Sequence, residues 1–219
     1  MHGAPYMVAL FCFSKNGDAD MATTFRKLLN LNNENQSLAD SSLVVVDAQR
    51  EYLDGNLPLS GIEAALDQIS HILYRARSLG TNIIHVQHFS PKGAPLFNPD
   101  DKFVDIIDEV KPIGTEPVIK KNLPDSFAGT DLDERIKASG KKDLVVVGFM
   151  THACISATVR SALNFGYHTT VIANACATRD LPTLENNDVI SAGTVHDATM
   201  SALSDLFARV ISDEKALKD

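Results

Sequence analysis

Three side chains able to carry out acyl chemistry stand at or just beyond the ends of short apolar runs. Asp47 closes Leu-Val-Val-Val-Asp (43–47), Lys121 closes residues 117–121, and Cys154 follows Leu-Val-Val-Val (144–147) by a few residues. A thiolate is a strong nucleophile, a carboxylate can take its proton, and an ammonium between them stabilises both anions. Cys154 lies where an apolar run breaks at Gly148 and a helical pattern begins, running to Gly166. Unpaired N–H groups and the positive end of a helix dipole are expected there, which would favour the ionised thiol. The N–H groups of Met150 and Cys154 are candidates for an oxyanion hole.

The segments around these residues read as an α/β domain. Residues 43–47, 82–87, 117–121, 144–147, 169–173 and 207–211 are short β-branched or apolar runs, expected as buried strands. Between them Ile62, Leu66, Ile69, Leu73 and Ala76 fall at helical spacing up to Gly80, residues 131–139 form a shorter helix, and residues 188–206 a long one. Strands alternating with helices give right-handed parallel crossovers, hence a single three-layer domain with a mostly parallel sheet. In such sheets ligands bind beyond the carboxyl ends of the strands, which is where Asp47, Lys121 and Cys154 converge.

Residues 89–111 hold four Asp and three Pro and are expected as a long surface excursion, with one helical turn near 103–110. Gln49, Tyr52, His88, Phe89, Phe149 and His152 are the candidates for the substrate pocket. A buried Cys is most often simple packing, which is the expectation for Cys176 and Cys12. His85 and His88 point to opposite faces of a strand, so joint metal ligation is not expected, although His85 could face the site. His196, on the long helix, is expected to be structural. Lys120 beside Lys121 leaves open which of the two enters the site. No Gly-x-Gly-x-x-Gly follows a strand, so no dinucleotide fingerprint is present.

The chain has 219 residues, is 44% hydrophobic and carries a net charge of −8. That suits one domain and argues against a nucleic-acid groove or an anionic membrane as partner. Three unpaired Cys argue for a reducing cytoplasm, and neither a signal peptide nor a membrane span is expected. Residues 1–20 share no pattern with the rest. Residues 1–40 are expected as an extension and lead-in, and 41–219 as the domain.

Three motifs, Val-Val-Val-Asp-Ala-Gln-Arg-Glu-Tyr-Leu (44–53), Lys-Asn-Leu-Pro-Asp-Ser-Phe-Ala-Gly-Thr-Asp-Leu (121–132) and Gly-Phe-Met-Thr-His-Ala-Cys-Ile (148–155), occur in an order that resembles the isochorismatase-like cysteine hydrolases, relatives of nicotinamidases and N-carbamoylsarcosine amidase. The likeness extends to Cys-Ala-Thr-Arg-Asp-Leu-Pro (176–182). It implies a six-stranded parallel sheet, a triad of Asp47, Lys121 and Cys154, a cis peptide at Phe149–Met150, and a homodimer or homotetramer. The lysine assignment rests on Phe127, six residues after Lys121. Nicotinamidases carry an Asp-x-His metal cluster after the first strand, and residues 54–60 hold no His, so neither metal nor cofactor is expected. Isochorismatases that cleave a vinyl ether do not use a cysteine. The implied activity is hydrolysis of a small amide, ureide or carbamoyl compound. The alternatives are vinyl-ether hydrolysis by Asp47 without the Cys, or a domain that only binds a metabolite or protein.

Overall fold

The computed structural model describes residues 23–31, 36–186 and 188–219. In chain order the elements are α1 (Phe25–Leu28), β1 (Ser41–Val46), α2 (Ile62–Leu79), β2 (Asn82–His88), β3 (Val118–Lys121), α3 (Leu132–Ala138), β4 (Asp143–Phe149), α4 (Ser156–Asn164), β5 (His168–Ala177), β6 (Leu181–Pro182), β7 (Val189–Ile190), α5 (Ala192–Leu206) and β8 (Arg209–Ile211). Six strands form one sheet in the order β3-β2-β1-β4-β5-β8, and every pairing is parallel. The order reverses between β1 and β4, which opens a crevice beyond their carboxyl ends.

The β-branched runs form strands because both faces of the sheet are covered. On β1, Leu43 and Val45 pack with α2 through Ile62, Leu66, Ile69 and Leu73, while Val44 and Val46 face α3, α4 and α5. Burial on both faces explains why β1 and β4 read as continuous apolar runs rather than alternating ones. Helix α2 ends at Gly80, whose φ of 69° is the left-handed stop that glycine adopts without cost. Below the site, the buried His85 bonds Glu116 at 2.9 Å, and Glu116 pairs with Arg77 of α2 at 2.8 Å. His85 therefore ties α2 to the lead-in of β3 and does not face the site.

Several boundaries differ from the sequence expectation. The long helix begins at Ala192 rather than residue 188, because residues 181–190 form the small antiparallel β6–β7 hairpin. Strand β5 runs on to Ala177, well past residue 173. The excursion 89–111 holds two short 3₁₀ turns, Lys102–Val104 and Asp108–Val110, in place of one helical turn. Leu38 is fully buried and Ser37 bridges Lys218, so the packed unit includes residues before 41. Residues 1–20, with Cys12, lie outside the described residues. Among the described residues no helix is long and apolar enough to cross a membrane.

Gly148 is the tightest point between the two central strands. It has φ 120°, pairs with Val46, and a Cβ there would sit 2.0 Å from the Val46 carbonyl oxygen. Gly166 also has positive φ, but its added Cβ would meet open space. Gly148→Ala should therefore cost more than about 4 kcal/mol and leave little folded protein. Gly166→Ala should cost about 1–2 kcal/mol. Urea unfolding midpoints of the two variants check this.

Candidate active site

The crevice gathers the acid, the lysine and the thiol from three strands. Asp47 follows β1 with φ 50°, a left-handed turn tolerated by Asp, and its N–H still bonds the Val86 carbonyl at 2.9 Å. On β3 the side chains alternate exposed and buried, so Lys121 enters the interior. Lys120 points outward, its ammonium 4.9 Å from the centre of the Phe89 ring. Cys154 lies in a π-type turn, Thr151–Ile155, that feeds into α4. The Phe149–Met150 peptide before that turn is cis, and the Met150 carbonyl accepts from the N–H groups of Ala153 and Ile155.

Lys121 is the hub. Its Nζ lies 2.7 Å from Asp47 Oδ2 and 3.3 Å from Cys154 Sγ. It also lies 3.0 Å from the Leu123 carbonyl and 3.2 Å from His88 Nδ1. The approach to Asp47 is an ion contact rather than a directed hydrogen bond, so both carboxylate oxygens retain free lone pairs. The Cys154 thiol lies within hydrogen-bonding reach of that carboxylate. Asp47, Lys121 and Cys154 are 0%, 3% and 7% exposed, so only a small molecule can reach the sulfur.

Burial governs the protonation states. It raises the pKa of Asp47, against the opposing pull of Lys121 and of the thiol's hydrogen bond. It also pushes the Cys154 thiol up to about 12, helped by the negative charge of Asp47 and opposed by Lys121. The expectation of an ionised thiol runs against this: desolvation outweighs the pull of Lys121 and favours the protonated sulfur. Passing that proton to Asp47 creates no new buried charge. It moves one negative charge from oxygen to sulfur, both beside the same ammonium.

The pocket candidates divide into those beside Lys121 and those spent on structure. Gln49, expected to face substrate, is fully buried: its Nε2 donates to the His88 and Val104 carbonyls and its Oε1 accepts from the His88 N–H. It fixes β2 and the excursion instead. Tyr52 and Phe149 are buried, with ring centres 6.0 Å apart, and burial, followed by the negative charge of Asp47, raises the Tyr52 phenol's pKa. Phe89 is half-buried under Lys120, and His88 is half-buried beside Lys121. His152 Nδ1 bonds the Thr178 hydroxyl at 2.6 Å, away from the thiol. His196 bonds the Thr151 hydroxyl at 3.0 Å, bracing the turn that carries Cys154.

Two contributors escaped the sequence reading. Phe97, at φ 53°, sets its ring edge-on to both Tyr52 and His88, with centres 5.2 and 5.0 Å away. The buried Glu51 carboxylate holds it there by accepting the Phe97 N–H at 2.9 Å, and it also accepts the Asn56 N–H at 2.7 Å. The Glu51 motif position was visible, but its loop partners have no sequence signal. A separate cavity of about 500 Å³ lies between the starts of α2 and α5 and the end of β5. Cys176 lines it, but burial pushes that thiol up to about 12 and its bond is to the backbone of Gly148. The reactive set belongs to the crevice around Lys121.

Sheet order and crevice define a three-layer α/β domain with a buried acid–lysine–thiol centre. The isochorismatase domain family matches residues 41–215, and the chain belongs to that family. It is 39% identical to the uncharacterized isochorismatase family protein YddQ of Bacillus subtilis, over 81% of this chain and 99% of that one. It is 36% identical to the secreted isochorismatase effector Isc1 of Verticillium dahliae, over 88% of this chain and 98% of that one. A crystal structure of an isochorismatase from Pseudomonas putida superposes with a TM-score of 0.82 at 37% identity, covering 89% and 98% of the two chains. More distant relatives include a streptothricin hydrolase of Streptomyces noursei, 31% identical over 75% of this chain and 59% of that one. A maleamate amidohydrolase of Pseudomonas putida is 28% identical over 63% and 72%. The chain is an isochorismatase-family hydrolase.

If Asp47 takes the thiol proton, Asp47→Asn should slow iodoacetamide alkylation of Cys154 at pH 8 at least tenfold, within the usual range for losing a general base. In that variant the rate should climb with pH across the neutral range, because hydroxide alone then removes the proton of a thiol that burial pushes up. Peptide mass spectrometry of the Cys154 segment measures both.

Proposed function

We propose that the chain is a cysteine-dependent hydrolase of a small amide, ureide or carbamoyl C–N bond. The observation that carries this reading is the single Lys121 ammonium placed 2.7 Å from Asp47 and 3.3 Å from Cys154. Asp47 takes the thiol proton as sulfur attacks the carbonyl carbon, and the N–H groups of Met150 and Cys154 receive the developing oxyanion. The tetrahedral intermediate expels the amine, which leaves with the proton held by Asp47. Water then attacks the thioester, gives a proton to Asp47, and the acid departs as that proton returns to sulfur.

The maleamate amidohydrolase relative supports C–N cleavage, and the near-closed site supports a small substrate. The sparse Cys favour a reducing cytoplasm, although the Verticillium relative is described as secreted. One observation favours a second reading. The raised pKa of Asp47 also suits a general acid, which would protonate a vinyl ether without any use of Cys154.

A pooled library of small amides, ureides and vinyl ethers, quenched in acid, separates the two. The expected result is an acyl mass on the Cys154 peptide in the wild type and none in Cys154→Ala. That variant should keep the fold and lose turnover by about 10⁴-fold or more. Turnover without an adduct, retained in Cys154→Ala, would establish the vinyl-ether reading instead.

A further inference from the structure

His88 has one ring nitrogen committed and one open. Lys121 Nζ stands 3.2 Å from Nδ1, and an ammonium has no lone pair, so Nδ1 must accept. The ring proton is then on Nε2. That nitrogen has no protein partner among the described residues and is not among the buried unpaired atoms, so on this half-buried ring it is open to a ligand. The ring itself is fixed. Gln49 grips the His88 backbone on both sides, at 2.8 Å to its N–H and 2.9 Å to its carbonyl, and Phe97 meets the ring at 5.0 Å and 74°. Burial and the Lys121 charge push the imidazole down to about 4, so it stays neutral across physiological pH.

We propose that His88 is a substrate-recognition residue whose Nε2–H donates to a neutral carbonyl oxygen adjacent to the scissile carbon. This deepens the thiol-hydrolase reading and rests on it: the preferred substrate is a small amide or ureide with a second carbonyl beside the one attacked. The oxyanion has its own N–H donors, so His88 reads a different oxygen. Lys121 and Asp47 already balance each other as an ion pair, and a neutral N–H brings no charge of its own to offset a carboxylate, so an uncharged acceptor suits it better.

Alkylating probes test this without the natural substrate. Iodoacetamide puts its reacting carbon on sulfur with a neutral carbonyl one bond away, iodoacetate puts a carboxylate there, and methyl iodide has no acceptor. His88→Asn keeps an oxygen able to accept from Lys121 and loses the donor at the Nε2 position, whereas His88→Gln carries an amide N–H out to it. Alkylation of Cys154 by iodoacetamide should fall at least tenfold in His88→Asn and stay within about threefold of wild type in His88→Gln. Methyl iodide should be unaffected within about twofold, and the advantage of iodoacetamide over iodoacetate should exceed that seen with free cysteine. The proposal is overturned if iodoacetamide is unaffected in His88→Asn. It is equally overturned if methyl iodide slows by the same factor, since His88 would then act only through Lys121. A preference for iodoacetate would overturn the choice of a neutral acceptor. A wild-type Cys154 inert to all three reagents would overturn the thiol-nucleophile reading, and this inference with it.

Discussion

The ammonium of Lys121 is asked to satisfy more acceptors than it has protons. Asp47, the Leu123 carbonyl, His88 Nδ1 and Cys154 Sγ all lie within about one hydrogen-bond length of it, around an almost fully buried lysine. An ammonium offers three N–H groups. Those three bonds go to the Leu123 carbonyl, His88 Nδ1 and Cys154 Sγ, while Asp47 is held by the ion contact. Once the proton moves to Asp47, the carboxyl needs less from the lysine and the sulfur needs more. The site is thus arranged so that the chemistry redistributes existing contacts, without drawing an unpaired charge into a dry interior.

The sheet exists to hold these partners at fixed separations. Asp47, His88 and Lys121 end or follow β1, β2 and β3, which lie side by side, and Cys154 follows β4 on the other side of β1. Parallel strands all deliver their carboxyl ends to one rim, so three crossovers suffice to assemble the set. Gly148 lets β4 approach β1 closely, and the π-type turn after it lowers the sulfur toward the lysine.

The central strands, and the placing of Asp47 and Cys154 at their carboxyl ends, were legible because their signals are local, whereas the choice of Lys121 over Lys120 came from the family resemblance. A four-residue β-branched run ending in a charged residue needs no distant partner to be recognised. What escaped was set by long-range pairing and by burial. The β6–β7 hairpin, with Leu181 and Pro182 opposite Val189 and Ile190, is too short to show a period, so its residues merged into the helix that follows. Gln49 read as a substrate contact because its type suits one, yet its role is decided by carbonyls 39 and 55 residues away. The thiol's protonation was misjudged for the same reason: the helix start is visible in sequence, and the depth of burial is not.

Glu51 anchors two surface loops through main-chain N–H groups alone, those of Asn56 and Phe97. Such an anchor is blind to side-chain identity. Neighbouring loop residues that touch neither Glu51 nor the site can change with the backbone path kept, whereas Gly55 has no room for a side chain against Glu51 and the Phe97 ring is held on Tyr52 and His88. The fold therefore separates the part that must be invariant in shape from the part that can drift in chemistry. New substrate preferences can be acquired at the rim without disturbing the acid, lysine and thiol beneath it.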